Sequence, residues 1–302
     1  MGLTIAQAKQ SVQSKDPLLA GVMQTFVDNA PILEYLPFSN QIGQTISWVR
    51  ELALPTSAFR AIDESYGFTG VNGTTERKTE DLKILGTKCN VDRAVVKMLG
   101  TEPIQTQHRM QIKSVARTFS ENFFIGDGTN NSFTGLEARI ASGQKIAMAD
   151  DGAAFTLEAL DEALIKCKGT GKIIWVPQET FLSMQKLARG KSNVNYLPDN
   201  FGQWILTYNG YPVRVPGEKV DEAQILTFSE TQGNSSVTAS VYVTAINEDG
   251  VKGVQTSPIE IITSLTNTVA GAYEVEWLTN WLLSTKYSAI RVHGITDVAV
   301  TD

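Results

Sequence analysis

The 302 residues include only two cysteines, Cys89 and Cys167, and only two histidines, His108 and His293. Thiols so far apart form neither a disulfide framework nor a CxxC pair, and a metal cage of soft ligands has too little material. No metal and no cofactor is expected, and each cysteine is read as a small buried apolar group. Long apolar runs are missing too: each is broken within a few residues, far short of the ~20 that cross a bilayer, so no membrane partner is expected. The opening MGLTIAQAKQ has no basic region leading into an apolar stretch, so synthesis in a cytoplasm without a secretory leader is expected. A basic stripe is also lacking. Residues 1–125 hold 13 Lys and Arg against 12 Asp and Glu, and residues 126–302 hold 13 against 20. That balance argues against a protein that grips nucleic acid through its phosphates.

What is present suffices for a core: 42% of the residues are apolar and 19% charged, which excludes disorder as the dominant character. The first ~40 residues read as an arm rather than a domain, and its exposed apolar groups must lie against either its own body or a neighbour's. Leu18, Val22, Phe26 and Val27 stand at helical spacing within 17–29, and Pro31 and Pro37 enforce extended backbone after them. Residues 45–52 (TISWVREL) alternate as a strand does, and so do 83–92 (KILGTKCNVD), interrupted at Gly86. Between them lie about thirty residues with Pro55, spaced glycines and many charges. Ordinary connections are ~2–6 residues, and a two-stranded ribbon is marginal by itself in water. The hairpin is therefore either a loose surface loop or an arm that gains order from a second molecule.

Residues 102–124 give the clearest helix, with Thr101 as N-cap and Glu102 and Pro103 in its first turn. Ile104, His108, Ile112, Val115, Phe119 and Phe123 recur every three or four residues, while Gln105, Arg109, Lys113, Arg117 and Glu121 lie off that stripe. Such a helix is about 33 Å long at 1.5 Å per residue. A second helix is expected from Leu157 to Lys168, capped by Thr156 and closed by Gly169, then a buried strand over 172–176 and a helix over 179–189. Residues 204–215 read as strand, Asn209-Gly210 turn, strand. Strands follow at 236–246, 251–263, 274–283 and 288–295, with Glu248-Asp249-Gly250 read as a hairpin turn. Helices and strands that are partly segregated indicate an α+β fold.

Chemical motifs fall short of their requirements. GTGK at 169–172 has Lys166 where a phosphate loop needs Gly, and Ile173 after the Lys, so it reads as a helix end entering a strand. GDG at 126–128 follows a helix and lacks the third Gly of a dinucleotide fingerprint. Asp127, Thr129 and Asn131 suggest a calcium loop, but its central Gly and terminal Glu are missing. A Ser/His/Asp triad would have to use His108, on the apolar helix stripe, or His293, in an alternating strand; both read as structural. Asp150-Asp151 and Asp161-Glu162 read as solvated carboxylates. No catalytic, cofactor-binding or metal-binding residue is assigned, and a hydrolase using His293 is the one enzymatic alternative.

The order of these pieces resembles the major capsid proteins of tailed bacteriophages, the HK97-fold family, over about 290 residues. DPLLAGV and LEYLPF resemble its N-terminal arm, ISWVREL and LKILGTKCNVDR the two legs of its extended E-loop, and the 102–124 helix with FFIGDG and FTGLEARI its spine helix. IIWVP and NGYPVRV resemble the central axial domain, and SVYVTAINEDGVKGVQTSPIEI with YEVEWLTNWLLSTKYSAIRVHGI the closing β region. The resemblance implies an HK97-like capsid fold: N-arm 1–43, E-loop hairpin 44–97, peripheral domain 98–155 and 246–287 with the spine helix, and axial domain 156–245 and 288–302. It also implies a homo-oligomer of pentamers and hexamers closing into an icosahedral shell around double-stranded DNA, without sequence-specific binding. The place of action would be the virion capsid, assembled in a host bacterial cytoplasm. The long charged helical extension of members with a fused scaffold is not seen, which implies a separate scaffolding protein, together with a portal and possible decoration protein. Lys78, Lys83 and Lys88 cannot be matched to the family's cross-linking chemistry. An encapsulin-like nanocompartment shell is the alternative on the same fold. The charged hairpin residues Arg50, Glu51, Arg60, Asp63, Glu64, Glu76, Arg77, Lys78, Glu80 and Asp81 are expected to form inter-subunit contacts.

Overall fold

The computed structural model describes residues 29–66, 72–188, 194–198, 204–264 and 270–296. The helix expected over 17–29 lies, but for Asn29, outside the described residues. The chain enters through α1 (Ile32–Tyr35) and β1 (Phe38–Asn40), runs out and back along β2 (Thr45–Ala53) and β3 (Thr74–Asp81), and continues as β4 (Lys83–Asp92). A short α2 (Arg93–Leu99) leads into the long α3 (Glu102–Ile125).

β14 (Ala270–Leu283) organises a five-stranded sheet. One of its edges carries β12 (Val251–Gln255) and β13 (Glu260–Ser264) in succession, and the other carries β4 along ten residue pairs. β1 joins β12 in parallel, which brings the Phe38 ring onto Gly253; a Cβ there would meet the ring at 2.4 Å, so only glycine admits this close approach. The inward residues of β4 face α3, which explains its alternation.

An eight-stranded sheet is ordered β5 (Lys145–Ala147), β15 (Ala289–Thr296), β11 (Ser235–Ala245), β6 (Lys172–Trp175), β9 (Tyr211–Arg214), β8 (Trp204–Tyr208) and β7 (Val194–Pro198), with β10 (Glu230–Gln232) on β11. The expected Asn209-Gly210 turn joins β8 to β9 with positive φ at both residues (49° and 83°), the primed geometry that fits strand twist. α5 (Leu157–Lys166), capped by the Thr156 hydroxyl accepting from the Ala159 amide, and α6 (Gln178–Leu187) cover one face.

The middle strands of this sheet are apolar on both sides. Ile173, Trp175, Tyr242 and Ala289 belong to the core built around α3, whereas Ile174, Val176, Val241, Val243, Ile290 and Val292 belong to the core under α5 and α6. Such strands read as continuous apolar runs because both faces are buried. The sheet is thus a wall shared by two cores, and α3 packs between it and the five-stranded sheet. Phe119 packs at a tilt on Trp277 (centroids 4.9 Å apart), Phe123 at a tilt on Trp281 (4.8 Å) and Phe124 edge-on to Trp175 (5.3 Å).

Five expectations are corrected. The backbone just after Pro31 is not extended: Pro31 begins α1, and Ala30, Ile32, Leu33, Leu36 and Phe38 are buried in the core around α3, so this part of the expected arm is packed on the chain's own body. Residues 45–52 do not pair with 83–92; β2 pairs with β3, from Thr45 opposite Asp81 to Ala53 opposite Thr74, and 83–92 belongs to the five-stranded sheet. β3 (TTERKTED) escaped detection because a strand that buries almost nothing has no apolar alternation to show. The 248–250 turn makes no hairpin: it carries the chain from β11 in one sheet to β12 in the other, with a single parallel bridge, Ile246 to Val251. Thr101 has helical backbone angles and its side chain caps nothing. Arg117, off the apolar stripe, is buried all the same, because α3 has packing partners on more than one side; it donates to Glu218 (2.5 Å) and to the Lys219 carbonyl (3.1 Å).

Candidate functional site

The motifs with chemical associations have structural duties. Asp127 accepts from the amide and hydroxyl of Thr129 in a tight turn, which holds its carboxyl below the ordinary range. His293 Nδ1 lies 2.9 Å from Gln232 Oε1; burial, then Arg291 and Lys145, pull its pKa down. His108 sits edge-on to Tyr273 with centroids 5.2 Å apart. Burial pushes the Cys167 thiol up to about 11, while Cys89, half-buried on β4, is raised by the same cause. Neither thiol has the lowered pKa of a nucleophile.

The unusual feature is the β2–β3 ribbon. Two antiparallel strands form a sheet separate from the other two, and among the described ribbon residues only Ile46 is buried. Its outer portion carries Val49, Leu52, Leu54, Phe59, Ile62 and Tyr66, all exposed, with Phe59 and Ile62 almost wholly in solvent. A two-stranded sheet with open edges and uncovered apolar side chains is marginal in water, and a group of such residues marks an interaction surface.

Most charges on the ribbon are satisfied within the chain. Glu76 pairs with Lys78 and across the strands with Arg50, each at 2.7 Å, and these bonds, Lys78 first, hold its carboxyl low. Arg77 donates to the Ser47 hydroxyl (3.0 Å), and the Thr45 hydroxyl to Asp81 (2.7 Å). Arg60 folds back on its own loop, donating to the Glu64 carbonyl (3.1 Å) and lying over the Tyr66 ring. Asp63 is exposed at a left-handed turn (φ 67°), and Glu51 and Glu64 are also exposed. Of the ten residues expected to reach a neighbour, these last three and Arg60 are at the surface of the outer ribbon, whereas Glu80 points into the body.

Glu80 marks the root. Its carboxylate accepts from Arg139 Nη2 (2.5 Å) and Asn280 Nδ2 (3.3 Å). Asn280 also donates to the Asp81 carbonyl (2.8 Å). Arg139 donates through Nε to the Thr134 carbonyl (2.8 Å), and its guanidinium lies 4.0 Å over the Trp281 ring. Beside it, Ile46, Leu82, Val254 and Leu282 form a small separate core against which Trp48 packs. Sequence reasoning named the charges and missed the uncovered apolar residues and Arg139. The apolar residues were findable by asking what covers Leu52, Leu54, Phe59 and Ile62 in a segment with no partner strand of its own.

No protein-family model matches the sequence, and no curated protein matches it. Similar solved structures are shells. The chain superposes on the capsid of a native GTA particle with a TM-score of 0.64 at 11% identity, over 90% of each chain. It superposes on a capsid subunit of cyanophage A-1(L) with 0.62 at 12%, over 89% of this chain and 93% of that one. The holo-SrpI encapsulin complex of Synechococcus elongatus PCC 7942 gives 0.63 at 12%, over 99% and 98%. The fold is α+β, of the architecture these structures share. More particularly, it is the HK97-like capsid fold, with long helix, two sheets and extended ribbon in place.

Proposed function

We propose that this chain is the structural subunit of an icosahedral phage capsid, assembling into pentamers and hexamers around double-stranded DNA, and that it is not an enzyme. The ribbon carries the argument: it presents uncovered Leu54, Phe59 and Ile62 at its outer end, and a second copy of the chain is the cover that a repeating shell supplies. In this reading β2–β3 is the E-loop, the five-stranded sheet with α3 the peripheral domain, and the eight-stranded sheet with α5 and α6 the axial domain. Residues 1–43 are the N-arm. Glu51, Arg60, Asp63 and Glu64, with their apolar neighbours, make the inter-subunit contacts. Exposed ion pairs contribute only ~0–1 kcal/mol each, so cohesion comes from many repeated apolar contacts. A separate scaffold, a portal and a decoration protein are the further partners. The near-neutral first half of the chain suits a wall that holds DNA without gripping it, within a virion assembled in a bacterial cytoplasm.

A compartment shell is the second reading, favoured by the end-to-end match to the encapsulin chain. Electron microscopy of particles from expressing cells tests both: uniform polyhedra are expected, and a monomer at every concentration and salt refutes both. Protein cargo inside purified particles selects the compartment; scaffold-dependent closure selects the capsid.

A further inference from the structure

A projecting ribbon can join copies reproducibly only if its direction is fixed, and the root holds a device suited to fixing it. We infer that Arg139 is the positioning residue of the ribbon: its buried guanidinium clamps Glu80 of β3 to the body and sets the direction in which the ribbon leaves it. This rests on the reading of the ribbon as the contact between copies.

The geometry supports a clamp over a casual ion pair. Arg139 is contributed by the body, at the end of α4 (Leu136–Arg139), and its side chain is 8% exposed. It is immobilised on three sides before it meets Glu80: by the Thr134 carbonyl, by the Trp281 ring beneath and by the Asn280 side-chain oxygen (3.4 Å). A planar guanidinium held at one nitrogen and stacked on a ring presents its remaining donors in a fixed direction, which a lysine ammonium cannot do. Asn280 grips the adjacent Asp81 carbonyl, so two successive ribbon residues are held. The apolar contacts at Ile46 and Leu82 are non-directional and leave tilt unspecified. Leverage makes that tilt matter. A nine-residue strand is about 30 Å long at ~3.3 Å per residue, so a tilt of about 10° moves the outer end by ~5 Å. Binding constellations require placement to within ~0.5 Å.

The test uses the full-length chain with Cys89→Ser and spin labels at Thr75→Cys on the ribbon and Glu158→Cys on α5, both exposed positions. The clamp is removed by the double substitution Glu80→Gln with Arg139→Met, which leaves no buried unpaired charge, and softened by Arg139→Lys. Pulsed electron–electron resonance on unassembled subunits is expected to show a tip-to-body distance distribution at least about twofold broader in the double variant. Circular dichroism should stay unchanged, and uniform particle diameter should be lost. Arg139→Lys, which keeps the charge pair, should restore uniform particles with an intermediate width. An unchanged distribution in the double variant overturns the inference, and so do uniform particles formed by the double variant despite its broadened distribution. If the parent chain forms no particles while the double variant broadens the distribution, the shell reading falls and the clamp stands.

Discussion

Phe124 faces two ways. Its ring lies against Trp175 and Tyr242 of the eight-stranded sheet and against Phe123, which in turn contacts Trp281 of the five-stranded sheet. Truncating a buried phenylalanine costs about 3–5 kcal/mol, so Phe124→Ala should lower the urea midpoint by that equivalent while leaving the denaturant slope unchanged. His293 offers a second residue-scale check. Its pKa in the fold lies below the ordinary 6.5, so the unfolded chain binds the proton more readily. The stabilisation is therefore complete above pH 6.5 and lost as pH falls from there through the lower folded value. In denaturation titrations between pH 7 and pH 5, His293→Gln should flatten the loss of stability.

At the scale of elements, strands that bury one face could be read from sequence, and the ribbon only in part. β4 and β14 alternate because one side meets α3, and the α3 stripe appears because Ile112, Val115, Phe119 and Phe123 are buried together. β3 has eight polar residues and no buried one, so its pairing with β2 rests on chain connectivity and cross-strand partners such as Arg50 and Glu76, which leave no periodic trace. Arg139 was equally illegible: a basic residue ending a short helix looks solvated until Trp281 and Glu80 arrive from distant segments. The ribbon also yields a separation of folding from association. Replacing Phe59 and Ile62 together by Asp touches fully exposed side chains and should change stability by no more than about 0.5 kcal/mol. The same variant should fail to form closed particles in sedimentation velocity runs in which the parent chain assembles.

For the whole molecule, the shared wall decides cooperativity. The two cores meet on opposite faces of β6, β11 and β15, and ion pairs tie α4 and α3 to the shared sheet and its connecting loop: Arg291 of β15 with Glu137 (3.1 Å) and Arg117 with Glu218. Losing either core strips one face from those strands. Calorimetry of the unassembled chain should thus give a single transition whose calorimetric and van't Hoff enthalpies agree, whereas two independent units would give two. This coupling lay beyond sequence reading, since the run KIIWV announces a buried strand without saying that its two sides serve different cores.

Leu82 alone separates β3 from β4, and β4 is hydrogen-bonded to β14 along ten residue pairs. A pull applied along β3 therefore passes through one residue into β4 and is shared among the hydrogen bonds of the central ladder. A chain wired in this way can bear tension on its ribbon without unzipping.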